Sequence, residues 1–252
     1  MVNGQTFYND LLLSSFVLAL IVFVALFFFA APYGRYVRKG WGPCINSKIA
    51  WVVMEAPSPL LFAVCFLTGN TQTITHLIFL GLWEAHYIHR AFIYPFSLRG
   101  DRRVPILVIS FGFIFNLMNA FLNGMYIFTL SNRYTVNWLI DPRFVFGVAL
   151  FITGYLVNRS ADQVLHNLRT PGEDAYKIPQ TGLYRWISCP NYFGEIMVWT
   201  GWAIATWSLP GLAFAIWTVA NLAPRARSHH NWYQETFPDY PSQRKALLPG
   251  LW

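Results

Sequence analysis

Charged residues are scarce in this chain, at 12% of 252 residues, whereas hydrophobic residues make up 55%. Soluble domains carry about 25% charged residues, so this scarcity excludes an ordinary soluble domain. Uncharged apolar runs of about twenty residues, such as 11–30, are long enough to cross a bilayer. That first run is too long for the apolar core of a signal peptide and follows no basic segment. The composition is therefore typical of a multi-pass membrane protein.

Cysteine and histidine are also scarce. The three cysteines, Cys44, Cys65 and Cys189, are isolated and odd in number, which excludes a disulfide framework and a cysteine metal site. Six histidines are few for a pair of iron ions, and no metal site is expected. The sequence contains neither G-x-G-x-x-G nor a Walker motif, so any dinucleotide site is not of the Rossmann type.

The apolar runs predict an all-α, multi-pass membrane bundle of seven transmembrane helices that forms one domain over residues 1–252. Proline and glycine in Ser208-Leu209-Pro210-Gly211 divide the last long run into two spans. The seven expected spans are about 11–30, 49–67, 73–94, 104–130, 144–165, 190–207 and 209–223, and a tail over 224–252 follows them.

The basic residues predict the orientation of this bundle. Fifteen of the eighteen Lys and Arg residues lie in the first, third and fifth connections and in the tail, when Arg159 at the inner end of the fifth span is counted with the fifth connection. Because basic residues favour the cytoplasmic side of a membrane, we expect the N-terminus outside and the C-terminal tail in the cytoplasm. This distribution also accounts for the net charge of +7, so no nucleic-acid partner is expected.

Two spans carry polar side chains that are expensive at membrane depth. Glu55 lies two residues before a proline, and a kink there would open room for a ligand. A carboxyl group with little solvent around it would stay protonated and act as a hydrogen-bond donor. In the third span, Glu84 and Tyr87 share one helical face, while His86 and Arg90 share a neighbouring face. These groups line a ligand cavity or form a polar network at a helix end.

A further set of polar residues falls on the side predicted to face the cytoplasm. Its members are spaced by three or four residues, as on one helical face, or flank the last two spans. They are Asn158, Asp162, His166, Arg169, Asn191, Glu195, Arg225, Arg227, His229, His230 and Tyr233. Arg, His and Asn side chains suit a nucleotide and its phosphates. An ordinary solvated face at the membrane boundary accounts for the group over 158–169 equally well.

Five short motifs occur in order along the chain: 86–92 (HYIHRAF), 168–173 (LRTPGE), 178–183 (IPQTGL), 191–195 (NYFGE), and 237–241 (FPDYP) with Leu248-Pro249. With these motifs the chain resembles the steroid 5α-reductase family of integral-membrane, NADPH-dependent reductases. The resemblance covers most of the chain and is strongest from Asn158 to the end.

The resemblance implies a seven-helix fold that holds NADPH in its cytoplasmic half and reduces the C4–C5 double bond of 3-oxo-Δ4 steroids such as testosterone and progesterone. It implies that Glu55 and Tyr87 hold the C3 ketone. Hydride attack on an enone puts negative charge on its ketone oxygen, which fixed donors stabilise. The implied cofactor positions are Asn158, Asp162, Arg169, Tyr176, Asn191, Glu195, Arg225, His229 and Tyr233. Ser228 stands where relatives often have another histidine.

Other function classes stay open at this point. A membrane methyltransferase that uses S-adenosylmethionine also has Arg, Asn and Glu motifs near its end, and a related sterol or enoyl double-bond reductase would be a near neighbour. A di-iron oxygenase could use His86-x-x-His89 together with His229-His230. A transporter or receptor would account for Glu55 but not for the cytoplasmic polar set. These classes can be separated by one observation, namely which of NADPH, S-adenosylmethionine or iron co-purifies with the protein.

The expected partners are a lipophilic steroid and membrane lipids, and the expected assembly is a monomer. A site within the bundle suits a steroid that enters from the bilayer. The membrane would be the endoplasmic reticulum in a eukaryote and the inner membrane in a bacterium.

The charge distribution generates a test of topology. A reporter fused after Trp252 should lie in the cytoplasm and one fused before Val2 should lie outside, because fifteen basic residues sit in the segments predicted to be inside. Protease protection or a compartment-sensitive reporter measures both. A C-terminal reporter found outside would contradict the seven-span prediction.

Overall fold

The computed structural model describes residues 2–98, 102–168 and 176–252, and the chain in these ranges is mostly helical. The α-helices are α1 (Val2–Phe28), α2 (Ser47–Glu55), α3 (Pro57–Thr68), α4 (Ile74–Ile88), α5 (Tyr94–Ser97), α6 (Ile106–Met125), α7 (Pro142–Asn167), α8 (Pro190–Thr206) and α9 (Leu209–Thr236). Single turns of 3₁₀-helix cover Gly34–Tyr36, Val136–Ile140 and Gly182–Arg185.

Within the described ranges, four segments are long and apolar enough to cross a membrane. They are Gly4–Phe28, Ser47–Thr68, Ile106–Leu130 and Pro142–Asn167. The first, second, fourth and fifth predicted spans fall on these segments. Crossings by α4, α8 and α9, and the orientation of the termini, stay predictions.

The all-α prediction is wrong in one detail, because two connections pair as a short antiparallel sheet. Strand β1 (Cys44–Asn46) pairs with β2 (Arg103–Pro105), with Ile45 opposite Val104. The N–H of Ser47 donates to the carbonyl of Arg102 at 2.8 Å and extends this contact. Backbone N–H and C=O groups in extended segments have no partners within a helix. Adjacent connections therefore form hydrogen bonds with each other. The sheet joins the start of α2 to the start of α6.

At the proline where a kink is predicted, the second span is interrupted for one residue, Ala56, between α2 and α3. Helix α2 ends at Glu55, and α3 begins at Pro57, which has no N–H to donate to the preceding turn. The break places the Glu55 side chain at the joint between two helical pieces.

The predicted third span, 73–94, is not one regular helix. Helix α4 ends at Ile88, and a π-helical turn over His89–Ile93 leads into α5. A π-turn inserts an extra residue per turn and is frequent at functional sites. It changes which side chains share a face, and Arg90, which lies within it, lines the internal cavity of the bundle.

Helix α9 extends beyond the predicted seventh span, 209–223, because it continues through Pro224 to Thr236. A proline inside a helix removes one hydrogen bond, but apolar packing on both sides of it holds the helix together: Ala223 and Ala226 are buried against α8 and the tail. Consequently Arg225, His229 and Tyr233, spaced by four residues, lie on one face of a continuous helix.

Helices α7 and α8 approach closely along a row of glycines. A Cβ added at Gly154 would lie 2.6 Å from the backbone nitrogen of Val198, and one added at Gly194 would lie 2.5 Å from that of Asn158. Small residues let helix backbones meet in membranes. The largest cluster of buried side chains, which includes Trp83, Trp199 and Trp202, packs beside this contact.

The close contact between α7 and α8 predicts that one added methyl group lowers the stability of the protein. In Gly201→Ala, the new Cβ would lie 2.5 Å from the nitrogen of Phe151 and 2.6 Å from the carbonyl oxygen of Gly147. Overpacking of this kind costs about 1–3 kcal/mol, so thermal unfolding in detergent should occur at a lower temperature. Gly81→Ala in α4 is the matched control, because a Cβ there meets nothing within 4 Å. Equal midpoints for both variants would contradict the close-packing account.

Candidate active site

A single cavity of about 1280 Å³ runs through the bundle and is lined by α1, α2, α4, α6, α7, α8 and α9. The cavity brings together all but one of the residues predicted to form the site. Lining it are Glu55, Tyr87, Asn158, Asp162, Tyr176, Asn191, Glu195, Arg225, His229 and Tyr233. Arg169 lies outside the described residues.

The two residues predicted to hold a ketone, Glu55 and Tyr87, face the same part of this cavity. The amide of Asn116 donates to Glu55 Oε2 at 3.4 Å and also to the carbonyls of Met54 at 2.8 Å and Gly112 at 3.1 Å. The aromatic rings of Phe115, Trp199, Phe214 and Trp217 line the apolar wall beside them. The arrangement presents a carboxyl group and a phenol to a flat apolar ligand.

Arg90 lies at the centre of the polar part of the cavity. Its guanidinium sits 3.8 Å from Asp162 Oδ2 and lies over the rings of Trp51 at 4.8 Å and Tyr94 at 4.7 Å. Glu55, Asp162 and Glu195 line the same cavity as this partly buried cation.

Glu195, in α8, is held by side chains from two neighbouring helices and from its own helix. His86 Nε2 lies 3.1 Å from Glu195 Oε1, and the Trp199 indole donates to the same oxygen at 2.8 Å. The Asn158 amide donates to Glu195 Oε2 at 3.0 Å and to the carbonyl of Asn191 at 2.9 Å. These bonds link α4, α7 and α8 and fix the amide and carboxyl groups of the site.

A second cluster forms where α9 meets the segment after α1. The Arg225 guanidinium lies 3.6 Å from the centre of the Tyr33 ring, and its Nε donates to the Tyr192 hydroxyl at 2.9 Å. That hydroxyl lies 3.1 Å from His229 Nε2. Burial, with Arg225 and Arg35 nearby, holds the pKa of His229 well below its ordinary value. A neutral His229 accepts from Tyr192 at Nε2, so its Nδ1 carries the proton and is a donor.

Arg35 connects this cluster to the two tyrosines predicted to bind cofactor. Its guanidinium lies 3.9 Å from the Trp232 ring, 4.5 Å from the Tyr176 ring and 5.1 Å from the Tyr233 ring. Arg102 lies over Tyr176 as well, at 5.3 Å. Guanidinium groups stack on aromatic faces and retain N–H donors in their plane.

Several buried polar atoms of the cavity have no hydrogen-bond partner in the described part of the chain. They are His86 Nδ1, Arg35 Nη1, Arg225 Nη1 and His229 Nδ1, with Asp162 Oδ2, which is ion-paired with Arg90 at 3.8 Å but accepts no hydrogen bond. Buried polar atoms in native proteins are nearly always paired, so unpaired ones converging on one cavity indicate a polar ligand. Four of the five belong to cationic or imidazole side chains, which suits a ligand that carries phosphates and amides.

Some polar residues noted in the sequence take other roles. His89 bonds to Arg159 through its ring nitrogens, and His230 Nδ1 lies 2.6 Å from Ser188 Oγ. Glu84 is half-buried and is not part of the cavity wall. The histidine pairs that suggested a di-iron site thus bond to separate partners, which disfavours that alternative.

Sequence reasoning missed part of the site. Arg35 fell among the basic residues used for topology, and Tyr33, Tyr192, Asn116 and Asn119 received no role. Asn116 and Asn119 are amides inside an apolar helix, 4% exposed each, and this was a usable signal because buried amides need partners.

The apolar helices and the polar cavity inside them define an integral-membrane protein with an internal ligand site. A family model for 3-oxo-5-alpha-steroid 4-dehydrogenase matches residues 102–252. The chain belongs to this family and is an oxidoreductase. It is similar to a steroid 5-alpha-reductase DET2 of Gossypium hirsutum, with 39% identity over 258 residues that cover 100% of both chains.

Two mammalian relatives extend this similarity. The 3-oxo-5-alpha-steroid 4-dehydrogenase 1 of Bos taurus is 41% identical over 241 residues, which are 93% of each chain. The enzyme of the same name from Homo sapiens is 39% identical over 222 residues, covering 87% of this chain and 85% of the relative. The resemblance first seen in five motifs is confirmed, and the methyltransferase alternative is not favoured.

Proposed function

We propose that this chain transfers a hydride from NADPH to C5 of a 3-oxo-Δ4 steroid, after which C4 takes up a proton from water and the C4–C5 double bond is reduced. The observation that carries the proposal is one continuous cavity with two chemically different ends. Glu55 and Tyr87 lie beside aromatic rings, while Arg35, Arg225 and His229 lie among tyrosines. A lipophilic enone fits the first environment and a phosphorylated nucleotide fits the second. The activity agrees with the names of the relatives.

The unpaired atoms support binding of NADPH by this chain. Arg35 and Arg225 would hold phosphate groups, with His229 donating through Nδ1, and Tyr176 and Tyr233 would stack near the arginines. Asn158, Asp162, Asn191 and Glu195 would hold the amide and hydroxyl groups of the cofactor. When bound, NADPH supplies the hydride.

Glu55 and Tyr87 would hold the ketone oxygen of the steroid as hydrogen-bond donors. Negative charge grows on that oxygen as C5 is reduced, and donors fixed at it in a dry site lower the barrier. Glu55 has to be protonated to donate. Its position in a membrane-spanning segment, in a cavity that also holds the carboxyl groups of Asp162 and Glu195, supports this state, because a site with little solvent disfavours a charged carboxylate.

The site would face the cytoplasm in the proposed seven-span topology. Its arginines come from the segment after α1 and from the cytoplasmic half of α9, so a soluble nucleotide reaches them from that side. The steroid would enter from the lipid, and the protein would act as a monomer in the endoplasmic reticulum of a eukaryote or the inner membrane of a bacterium.

Arg225 provides a test of cofactor choice. Arg225→Ala should weaken NADPH binding by about 2 kcal/mol, because a buried hydrogen-bonded charge is lost, and should weaken NADH less if the arginine cluster reads the 2′-phosphate. Cofactor titration of the solubilised protein measures both affinities. Arg227→Ala is the matched control, since Arg227 is exposed and lies two residues away. Equal losses for NADPH and NADH would mean that Arg225 does not read the 2′-phosphate.

Glu55 and Tyr87 provide the test of the chemistry. Glu55→Gln keeps a donor and should retain measurable turnover of a 3-oxo-Δ4 steroid. Glu55→Leu and Tyr87→Phe each remove a donor and should lose about 2.7–4 kcal/mol of transition-state stabilisation. Both losses should appear in the single-turnover rate of NADPH oxidation, with cofactor affinity nearly unchanged.

Two outcomes would contradict this account. A Glu55→Gln protein as inactive as Glu55→Leu would require an ionised Glu55 rather than a donor. Normal turnover by both Glu55→Leu and Tyr87→Phe would place the ketone elsewhere in the cavity.

A further inference from the structure

One motif of the sequence, 237–241 (FPDYP), has no part in the chemistry proposed above. Its tyrosine, Tyr240, is only 8% exposed although it belongs to the irregular tail after α9. Tyr240 does not line the cavity, so it is not a candidate ligand contact. A buried phenol needs a partner for its hydroxyl, and the partners of Tyr240 line the nucleotide end of the cavity, which holds Arg35 and Arg225.

The hydroxyl of Tyr240 bonds to Ser188, immediately before α8. The two side-chain oxygens lie 2.5 Å apart. Ser188 Oγ also lies 2.6 Å from His230 Nδ1 and donates to the carbonyl of Lys245 at 3.2 Å. A serine hydroxyl can donate one hydrogen bond and accept two, so these three contacts use its whole capacity. Ser188 lines the cavity, but it anchors the tail rather than a ligand.

Backbone hydrogen bonds join the tail to the same segment. The N–H of Ser188 donates to the carbonyl of Lys245 at 2.8 Å, and the N–H of Lys245 donates to the carbonyl of Trp186 at 3.0 Å. The N–H of Cys189 donates to the carbonyl of Ala246 at 3.2 Å. The tail therefore holds the backbone from which α8 begins.

The first turn of α8 carries part of the nucleotide end. The Tyr192 hydroxyl accepts from Arg225 Nε at 2.9 Å and lies 3.1 Å from His229 Nε2. Tyr192 is four positions after Ser188. The N–H groups of a first helical turn have no partners within the helix, so the direction of this turn depends on the segment before it. Displacing Ser188 would move Tyr192 away from Arg225.

The ring of Tyr240 supports a second wall of the same end. It stacks on the ring of Tyr233 in α9, with centres 5.3 Å apart and planes inclined by 10°. Tyr233 in turn lies 5.1 Å from the Arg35 guanidinium. Arg244 packs on the Tyr240 ring at 5.2 Å and donates to Gln180 Oε1 at 2.9 Å. One tail residue thus contacts both α9 and the start of α8.

We propose that Tyr240 is a positioning residue for the nucleotide end of the cavity. Its hydroxyl holds Ser188 and the start of α8, and its ring holds Tyr233. This proposal rests on the proposed function, in which this end binds NADPH. Walls that are already ordered reduce the cost of binding. The tail therefore contributes to cofactor affinity and leaves the hydride step, which takes place beside Glu55 and Tyr87, unchanged.

Substitutions of Tyr240 and its anchor test this role. Tyr240→Phe keeps the ring but loses the hydroxyl, so it should weaken NADPH binding about fivefold, as for one neutral hydrogen bond. Tyr240→Leu loses the stacking as well and should weaken binding about twentyfold. Ser188→Ala should weaken binding at least as much as Tyr240→Phe. Adding Tyr240→Phe to Ser188→Ala should change affinity less than about twofold, since the bond is already lost. Fluorescence titration with NADPH measures these affinities.

Two further readouts separate positioning from stability. A protein that is only less stable binds NADPH normally in its folded fraction, so thermal unfolding of the cofactor-free variants should not account for the loss of affinity. The single-turnover rate at saturating NADPH should change less than about twofold in every variant, which gives a raised KM with a nearly constant kcat.

Ser242→Ala is the matched control, because it removes an exposed hydroxyl two residues after Tyr240, and its NADPH affinity should equal that of the unaltered protein. If Tyr240→Leu does not fold, Tyr240→Phe and Ser188→Ala decide the question. Unchanged affinity in both, or additive losses when they are combined, would overturn the positioning role. Failure of the unaltered protein to bind NADPH would instead overturn the proposed function.

Discussion

A polar group removed from water has to find its partner inside the protein, and the structure of this bundle depends on that constraint. Glu195 shows how it is met: a histidine, an indole and an amide from three helices converge on one carboxyl group. The same bonds that satisfy it hold α4, α7 and α8 in register. The site lies where the pairing is incomplete, so that a ligand supplies the remaining partners.

The glycine row between α7 and α8 allows the hydrogen bonds of these polar groups to be short. With Gly154 and Gly194 in the contact, the backbones come close enough for the Asn158 amide to reach both Asn191 and Glu195. Side chains with a Cβ at these positions would push the helices apart and stretch both hydrogen bonds. The geometry of the polar site therefore depends on the close packing of these small residues.

Residues whose chemistry is unusual for their surroundings could be predicted from the sequence. Glu55 beside a proline and Asn158 with Asp162 on one helical face are expensive in a membrane, and both sets line the cavity. Their partners could not be predicted in the same way. Whether an amide such as Asn158 meets a carboxyl group or a backbone carbonyl depends on how helices distant in sequence are packed.

Two local features could not be predicted from the periodicity of hydrophobic residues. The π-turn after α4 adds one residue to a turn, and a pattern read at 3.6 residues per turn cannot register it. Helix α9 passes through Pro224 because tertiary packing outweighs one missing hydrogen bond. Arg35 was ambiguous for another reason: a basic residue beside a span serves topology and ligand binding equally well until its aromatic neighbours are known.

The cluster that joins Tyr33 and Arg35 to Arg225 and Tyr233 has a consequence for biogenesis. These residues come from the segment after the first helix and from α9, almost two hundred positions apart in the sequence. Helix α1 is synthesised long before α9, so this cluster of arginines and tyrosines stays incomplete until the end of the chain is made. This end of the cavity can therefore form only late in assembly.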